Sequence, residues 1–243
     1  MPRLITVNDI MNRVGLEVGV AAETDPYSSI DGTYIQMGGL LNSCGQEMVE
    51  LFEWQILTER IDFTTQIGES GTYDLPDDFS YMIDQTGWDH TNRVSMGGPL
   101  SAQEWTYLAG RDLISQSIYA SFRLVDYKLD LYPQPPPVGL QVTFEYISRN
   151  WLTNNDGSNP HDTISTGSDL VRYEPILIIK FLKAKVLEAK GFDASSARLE
   201  FENMFNSRTG RDKGAPILSA SNSSRGFPYL NPYYNTPDTG YGM

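Results

Sequence analysis

Asp and Glu supply 31 of the 243 residues, and three of them, Asp74, Asp77 and Asp78, stand together beside the strand-like run Thr72-Tyr73-Asp74-Leu75-Pro76. A pair of carboxyl groups held about 5–10 Å apart can work as acid and base on a glycosidic bond. Aspartate is equally at home in solvated turns, and a turn is the preferred reading of this cluster. The alternative is a cell-wall hydrolase that loses activity when Asp77 or Asp78 becomes Asn. A carbohydrate-binding β-module is a further alternative, in which Trp88, Trp105 or Trp151 would stack on sugar.

Other chemistry finds less to build on. The two histidines, His90 and His161, lie about seventy residues apart, and neither has a cysteine or second histidine at ligand spacing, so no metal site is expected. Asn154-Asn155-Asp156-Gly157-Ser158-Asn159 lacks the alternating carboxylates and the terminal Glu of a calcium loop and reads as a turn. Cys44 is the only cysteine, so no internal disulfide can form. It falls on an apolar helical stripe, where a thiol behaves as a small buried hydrophobe. There is no Gly-x-Ser-x-Gly elbow, Walker A loop or dinucleotide fingerprint, and no catalytic residue or cofactor is expected.

The charge is uneven. The net value of −13 divides into −12 over residues 1–100 (4 basic, 16 acidic) and −1 over residues 101–243 (14 basic, 15 acidic). Nucleic-acid affinity comes largely from Lys and Arg displacing counterions, so the first hundred residues are not a phosphate-gripping surface. The N-terminal apolar run is too short for a signal peptide, and Ile176–Ile179 is far too short for a membrane span. A soluble protein with no membrane partner is expected.

The elements that must carry these residues follow from periodicity. Thr6 and Asp9 have the form of a capping box before Val7, Ile10, Met11, Val14 and Val18, with Gly19 as the stop. A second helix is predicted from Thr33 to Phe52. Its apolar stripe is Met37, Leu41, Cys44, Met48 and Leu51, continuing to Gln55. A second stripe of small residues, Gly38, Asn42 and Gly45 with Val49, implies that another backbone or a subunit packs very close; packing within the chain is the preferred reading. Strands are predicted over Gln55–Thr65, Thr72–Pro76, Ser117–Leu124, Tyr127–Tyr132 and Leu140–Ser148, with a tight turn at Val125-Asp126. Ser101-Ala102-Gln103-Glu104 opens a short helix between them. Pro175, Gly191 and Asp193 then mark a hairpin of two helices, Ile176–Lys190 and Asp193 to about Ser207, with Lys180, Lys183, Lys185 and Lys190 on a solvated or partner-facing side.

The fold expected is α+β. A helical bundle domain formed by both chain ends (1–54 and 174–210) carries an inserted antiparallel β-sandwich or barrel-like domain (55–173). Residues 211–243 are rich in Gly, Pro, Ser and Asn and read as an extended C-terminal arm. That arm carries Phe227, Tyr229, Tyr233, Tyr234 and Tyr241, aromatics suited to ordering on a neighbouring protein.

Several runs, in this order, resemble a known family. They are Phe52-Glu53-Trp54-Gln55-Ile56-Leu57, Phe63-Thr64-Thr65, Gly71-Thr72-Tyr73-Asp74-Leu75-Pro76-Asp77-Asp78-Phe79, Pro99-Leu100-Ser101-Ala102-Gln103-Glu104-Trp105, Phe122-Arg123-Leu124, Leu129-Asp130-Leu131-Tyr132-Pro133 and Phe144-Glu145-Tyr146-Ile147-Ser148-Arg149-Asn150-Trp151. Across Val7 to Phe205 the chain resembles the head-to-tail adaptors of tailed bacteriophages, including the tail tubular protein A group. The resemblance implies a structural virion protein and not an enzyme. Its copies would form a homo-oligomeric ring, commonly of twelve, between the portal protein and the tail tube or nozzle. DNA would pass through that ring without specific binding.

Overall fold

All but one of the described α-helices begin where a short polar side chain takes up a backbone N–H that the helix itself leaves unpaired. In the computed structural model, which describes residues 4–110 and 120–212, Thr6 caps α1 (Val7–Val18), its hydroxyl accepting the Asp9 amide at 3.1 Å. Gly19 ends α1 in the left-handed region, at φ 86°. Asp31 caps α2 (Gly32–Leu51) through the Thr33 amide at 2.8 Å. Ser101 and Glu104 accept each other's amides at the start of α3 (Ala102–Gly110). Pro175 opens α4 (Pro175–Ala189), Gly191 at φ 75° reverses the chain, and the Asp193 carboxylate holds the first amide of α5 (Ser195–Asp212). α5 runs past its expected end near Ser207, so Arg211 and Asp212, expected to begin the arm, are its last turn.

α4 is the centre of the helical part, packed on α1, α2 and α5. The predicted stripe of α2 is buried from Met37 through Met48, where it meets Ile10, Met11 and Val14 of α1 and Leu177, Ile178 and Leu182 of α4. The stripe ends there. Leu51 is half exposed, and Gln55 lies beyond the helix in a single 3-10 turn, Gln55–Leu57. α5 buries only Ala197 and is held instead by rings, Phe201 stacking on Phe181 at 4.4 Å and Phe205 meeting Trp54 at 5.9 Å.

The strands form three sheets in which every pairing is antiparallel. β1 (Ile5–Thr6) pairs with β11 (Leu170–Val171), which pairs with β10 (Leu152–Thr153), stitching the start of the chain to the segment before α4. The largest sheet has the order β2 (Thr58–Thr64), β9 (Gln141–Ser148), β5 (Trp88–Asp89), β6 (Val94–Ser95), with β4 (Phe79–Met82) also on β9. The third has the order β3 (Thr72–Asp74), β8 (Lys128–Tyr132), β7 (Ser121–Val125). None of these sheets closes on itself, so the barrel-like alternative is corrected: the fold is α+β with open antiparallel sheets. Residues 117–119 of one predicted strand, and all of 213–243, lie outside the described residues.

The alternation of apolar and polar residues in β9 changes along its length. Val142 and Phe144 enter a smaller apolar cluster with Phe122, Leu129 and Leu131. Gln141 and Glu145 on the opposite face are exposed, as alternation requires. The same opposite face turns apolar at Ile147, which is fully buried in the helical cluster. One strand thus serves two cores on two faces. The β7–β8 hairpin turns at Asp126 and Tyr127, both left-handed at φ 52° and 55°, the type I′ geometry that matches strand twist.

Candidate functional site

The residues singled out for chemistry are occupied with structure. Both carboxylate oxygens of Asp78 are taken, one by the Tyr146 hydroxyl at 3.0 Å and the other by the Ser148 hydroxyl at 2.6 Å. Asp78 thereby pins the loop before β4 to β9, and burial, with that carboxylate second, raises the Tyr146 pKa. Asp77 beside it is exposed, and Asp74 pairs with Lys128 at 3.1 Å. His161 faces the buried carboxylate of Asp169 at 3.2 Å, while His90 sits at the far end of the largest sheet. No group of three or more potential metal ligands gathers among the described residues. Asn154–Ser158 is a turn, closed by Asn154 N–H to the Ser158 carbonyl.

Two of the three tryptophans that could stack on sugar are buried. Trp151 is fully buried, and Trp105 is buried under the Arg123 guanidinium, which lies 4.4 Å from its ring centroid. Trp88 is half-buried in β5. The lysines of α4 are likewise engaged within the chain. Lys180 pairs with Glu200 of α5 at 2.6 Å, Lys183 with Glu17 of α1 at 2.8 Å and Lys185 with Glu47 of α2 at 2.9 Å. With Arg172–Glu59 and Lys128–Asp74, these pairs show part of the acidic first half neutralised by cations from the second.

The small-residue stripe of α2 has a specific occupant at each position. Gly38 receives the Tyr27 ring and the Met11 methyl at ordinary contact distance. The Asn42 side chain accepts the Ile164 amide at 3.0 Å. Gly45 lies against the Trp151 indole so closely that a methyl placed there would fall 2.2 Å from a ring atom. All three contacts are made by the chain's own residues.

Two surface features remain. The first is the point where the chain leaves α5. The Asp212 carboxylate and carbonyl accept the Gln55 amide and side-chain N–H at 3.1 and 2.6 Å, beside a cavity of about 280 Å³ lined by Trp54, Arg172, Arg208 and Arg211. The aromatic arm residues Phe227, Tyr229, Tyr233, Tyr234 and Tyr241 lie outside the described residues. The second feature is an apolar groove of about 200 Å³ between the edge strands β2 and β3. It is lined by Ile61, Phe63, Tyr73, Leu75, Leu129 and Phe144, with the Phe63 and Tyr73 rings 4.5 Å apart. Sequence pattern identified both strands but carries no signal that both are edges, which depends on strand order.

Comparison with known proteins agrees with the order of motifs. No curated protein matches the chain. The family model described as SU10 adaptor protein matches residues 5–225, which takes in all the described residues but the first, and the first part of the stretch expected to be an arm. No helix among the described residues is long and apolar enough to cross a membrane. The match extends the resemblance first seen between Val7 and Phe205, and the chain belongs to the SU10 adaptor protein family, whose members are phage head–tail adaptors.

Proposed function

We propose that copies of this chain form the ring, of twelve subunits, that joins the portal of a DNA-filled phage head to the tail tube or nozzle and continues the DNA channel. The single observation that carries this reading is the family match over residues 5–225. The role is structural and not enzymatic, its site is the virion's head–tail junction, and assembly takes place in the host cytoplasm. The acidic first hundred residues suit a wall that DNA must slide past, because a surface poor in Lys and Arg releases few counterions on contact with phosphate. The division into a helical part (1–54 with 174–212), a β-rich part (55–173) and an arm that starts after α5 (213–243) is the organisation proposed for it, with the arm reaching a partner.

Affinity-tagged full-length chain, expressed in cells making the rest of the particle, tests this. Portal and tail proteins are expected to co-purify, and electron microscopy of the particle should place the chain as a ring between them. Failure of both would overturn the proposal.

A further inference from the structure

β2 has one strand partner. Its antiparallel register with β9 sets Thr64 opposite Gln141 and Arg60 opposite Glu145. Those two β9 residues direct their carbonyls the other way, Gln141 accepting the His90 amide at 2.9 Å and Glu145 the Ile83 amide at 3.0 Å. In an antiparallel ladder such positions do not exchange hydrogen bonds. Arg60, Thr64 and, by the two-residue period, Asp62 therefore point their backbone N–H and C=O groups away from β9. Among the described residues nothing bonds to that outer edge. The side chains of Ile61 and Phe63, one step out of phase, line the apolar groove. An open strand edge beside an apolar groove is the geometry that accepts an added strand, the ladder giving affinity and the groove selectivity.

We infer that this edge is filled by residues 227–234 of a neighbouring copy, added antiparallel to β2. The segment reads Phe227-Pro228-Tyr229-Leu230-Asn231-Pro232-Tyr233-Tyr234. Proline has no N–H to give, so both prolines must face away from β2. They have the same parity, which leaves Phe227, Tyr229, Asn231 and Tyr233 to form the ladder. In an antiparallel pair, directly opposed residues share a face, so those four join Arg60 and Asp62 on the polar side. Pro228, Leu230, Pro232 and Tyr234 then face the groove. Parallel addition would instead drive Asn231 among Leu129 and Phe144, an unpaired amide in an apolar site. The outward prolines also stop a further strand from adding.

The direction in which the chain leaves α5 points to a second copy as the donor. Residues 1–212 hold 16 basic and 30 acidic side chains, a balance of −14, whereas residues 213–243 hold two basic and one acidic, a balance of +1. The segment 227–234 itself carries no charge, so the acidic body does not repel it. α5 ends against Gln55, at the β2 end nearest Thr58. To lie antiparallel on its own β2, the arm would first have to run the strand's length past the same open edge and then reverse. The link of residues 213–226 spans on the order of 45 Å when extended, enough to leave the body and reach a neighbour.

This inference deepens the ring reading by naming a contact between its subunits, and it rests on that reading only in requiring copies to meet. Full-length tagged Asp62→Cys chain is mixed with untagged Tyr229→Cys chain and treated with a short bis-maleimide. The buried Cys44 does not compete. A tagged–untagged conjugate is expected, and Leu230→Asp in the untagged chain, a change outside the described residues, should lower its yield about tenfold. Conjugation only within a chain bearing both cysteines would show the arm on its own β2, and no conjugate in either arrangement would show the edge unfilled; either overturns the inference. Portal co-purification is read separately. Loss of it with the conjugate intact would fault the ring reading, and the converse would fault this one.

Discussion

The indole of Trp151 occupies the space that a side chain at residue 45 would need. A Cβ on Gly45 would fall 2.2 Å from the ring, and the surroundings hold the ring in place. The indole N–H donates to the Asp162 carbonyl at 2.9 Å, and the Tyr173 ring lies nearly parallel to it, centroids 6.2 Å apart, while its hydroxyl donates to the Gly45 carbonyl at 3.0 Å. Trp151 follows β9, so this contact joins α2 to the strand that serves both cores. Gly45→Ala should destabilise the protein by about 3 kcal/mol, since an overpacked rigid site can relieve the clash only by moving backbone. Gly39, on the same helix, is exposed, and a Cβ there would meet nothing within 4 Å. Gly39→Ala should instead stabilise by up to about 1 kcal/mol, the helix-propensity difference. Urea denaturation of the two variants reads both signs.

What the sequence revealed, and what it hid, divides along physical lines. Caps at Thr6, Ser101 and Gly191, the stripe Met37–Met48 and the turn after Val125 are local, and each formed where its pattern placed it. Partners distant in sequence were not legible. The Gly38/Asn42/Gly45 stripe announced a close approach without naming Tyr27, Ile164 and Trp151 as what approaches. The α4 lysines read as a surface because nothing local marks Glu17 and Glu47 as their neighbours. The groove between β2 and β3 was invisible for the same reason, since a run such as Thr58–Thr64 has one pattern whether it lies at the edge or the centre of a sheet.

Cys44 should be chemically silent while the protein is folded. It has no exposed surface, and burial, reinforced by Glu47 and opposed by Lys185, pushes its thiol pKa up to about 12. The thiolate is the reactive form, so at mild alkaline pH very little of it is present and the reagent has no access to it. Labelling with a thiol-specific dye is expected to be negligible in buffer and complete in urea. Its rate through the transition should follow unfolding, and labelling at full speed under native conditions would contradict this packing.

Acid should weaken the joint between the N-terminus and the segment before α4. The Asp169 carboxylate is buried there, and its main chain receives the Val7 amide at 3.0 Å, just as α1 begins. Burial alone would raise its pKa, but the amides and hydroxyls of Thr166 and Ser165 donate to it and bring it down to about 2, from 3.8. A folded-state value below the unfolded one stabilises the fold fully above the unfolded pKa, and that stability is lost as pH falls through the folded one. Asp169 should therefore contribute about 2 kcal/mol at neutral pH, vanishing between about pH 4 and pH 2. Asp169→Asn should remove that part of the acid dependence, read as a flatter profile of stability against pH in urea melts.

The acidic first half has a smaller free charge than its composition suggests, because Glu17, Glu47, Glu59 and Asp74 are paired with cations from later in the chain. Glu23, Asp77 and Asp84 are exposed and enter no salt bridge among the described residues. If the ring's channel uses acidity to keep DNA moving, these unpaired carboxylates are where it acts. Neutralising all three to Gln or Asn should change stability by no more than about 0.5 kcal/mol, as exposed sites away from caps and cores do. DNA ejection from particles carrying the triple variant should slow, and the difference should shrink as salt rises, because screening weakens the field of exposed charges beyond about 10 Å at 0.1 M. Ejection kinetics identical to wild type at low salt would remove these residues from the channel wall while leaving the family assignment untouched.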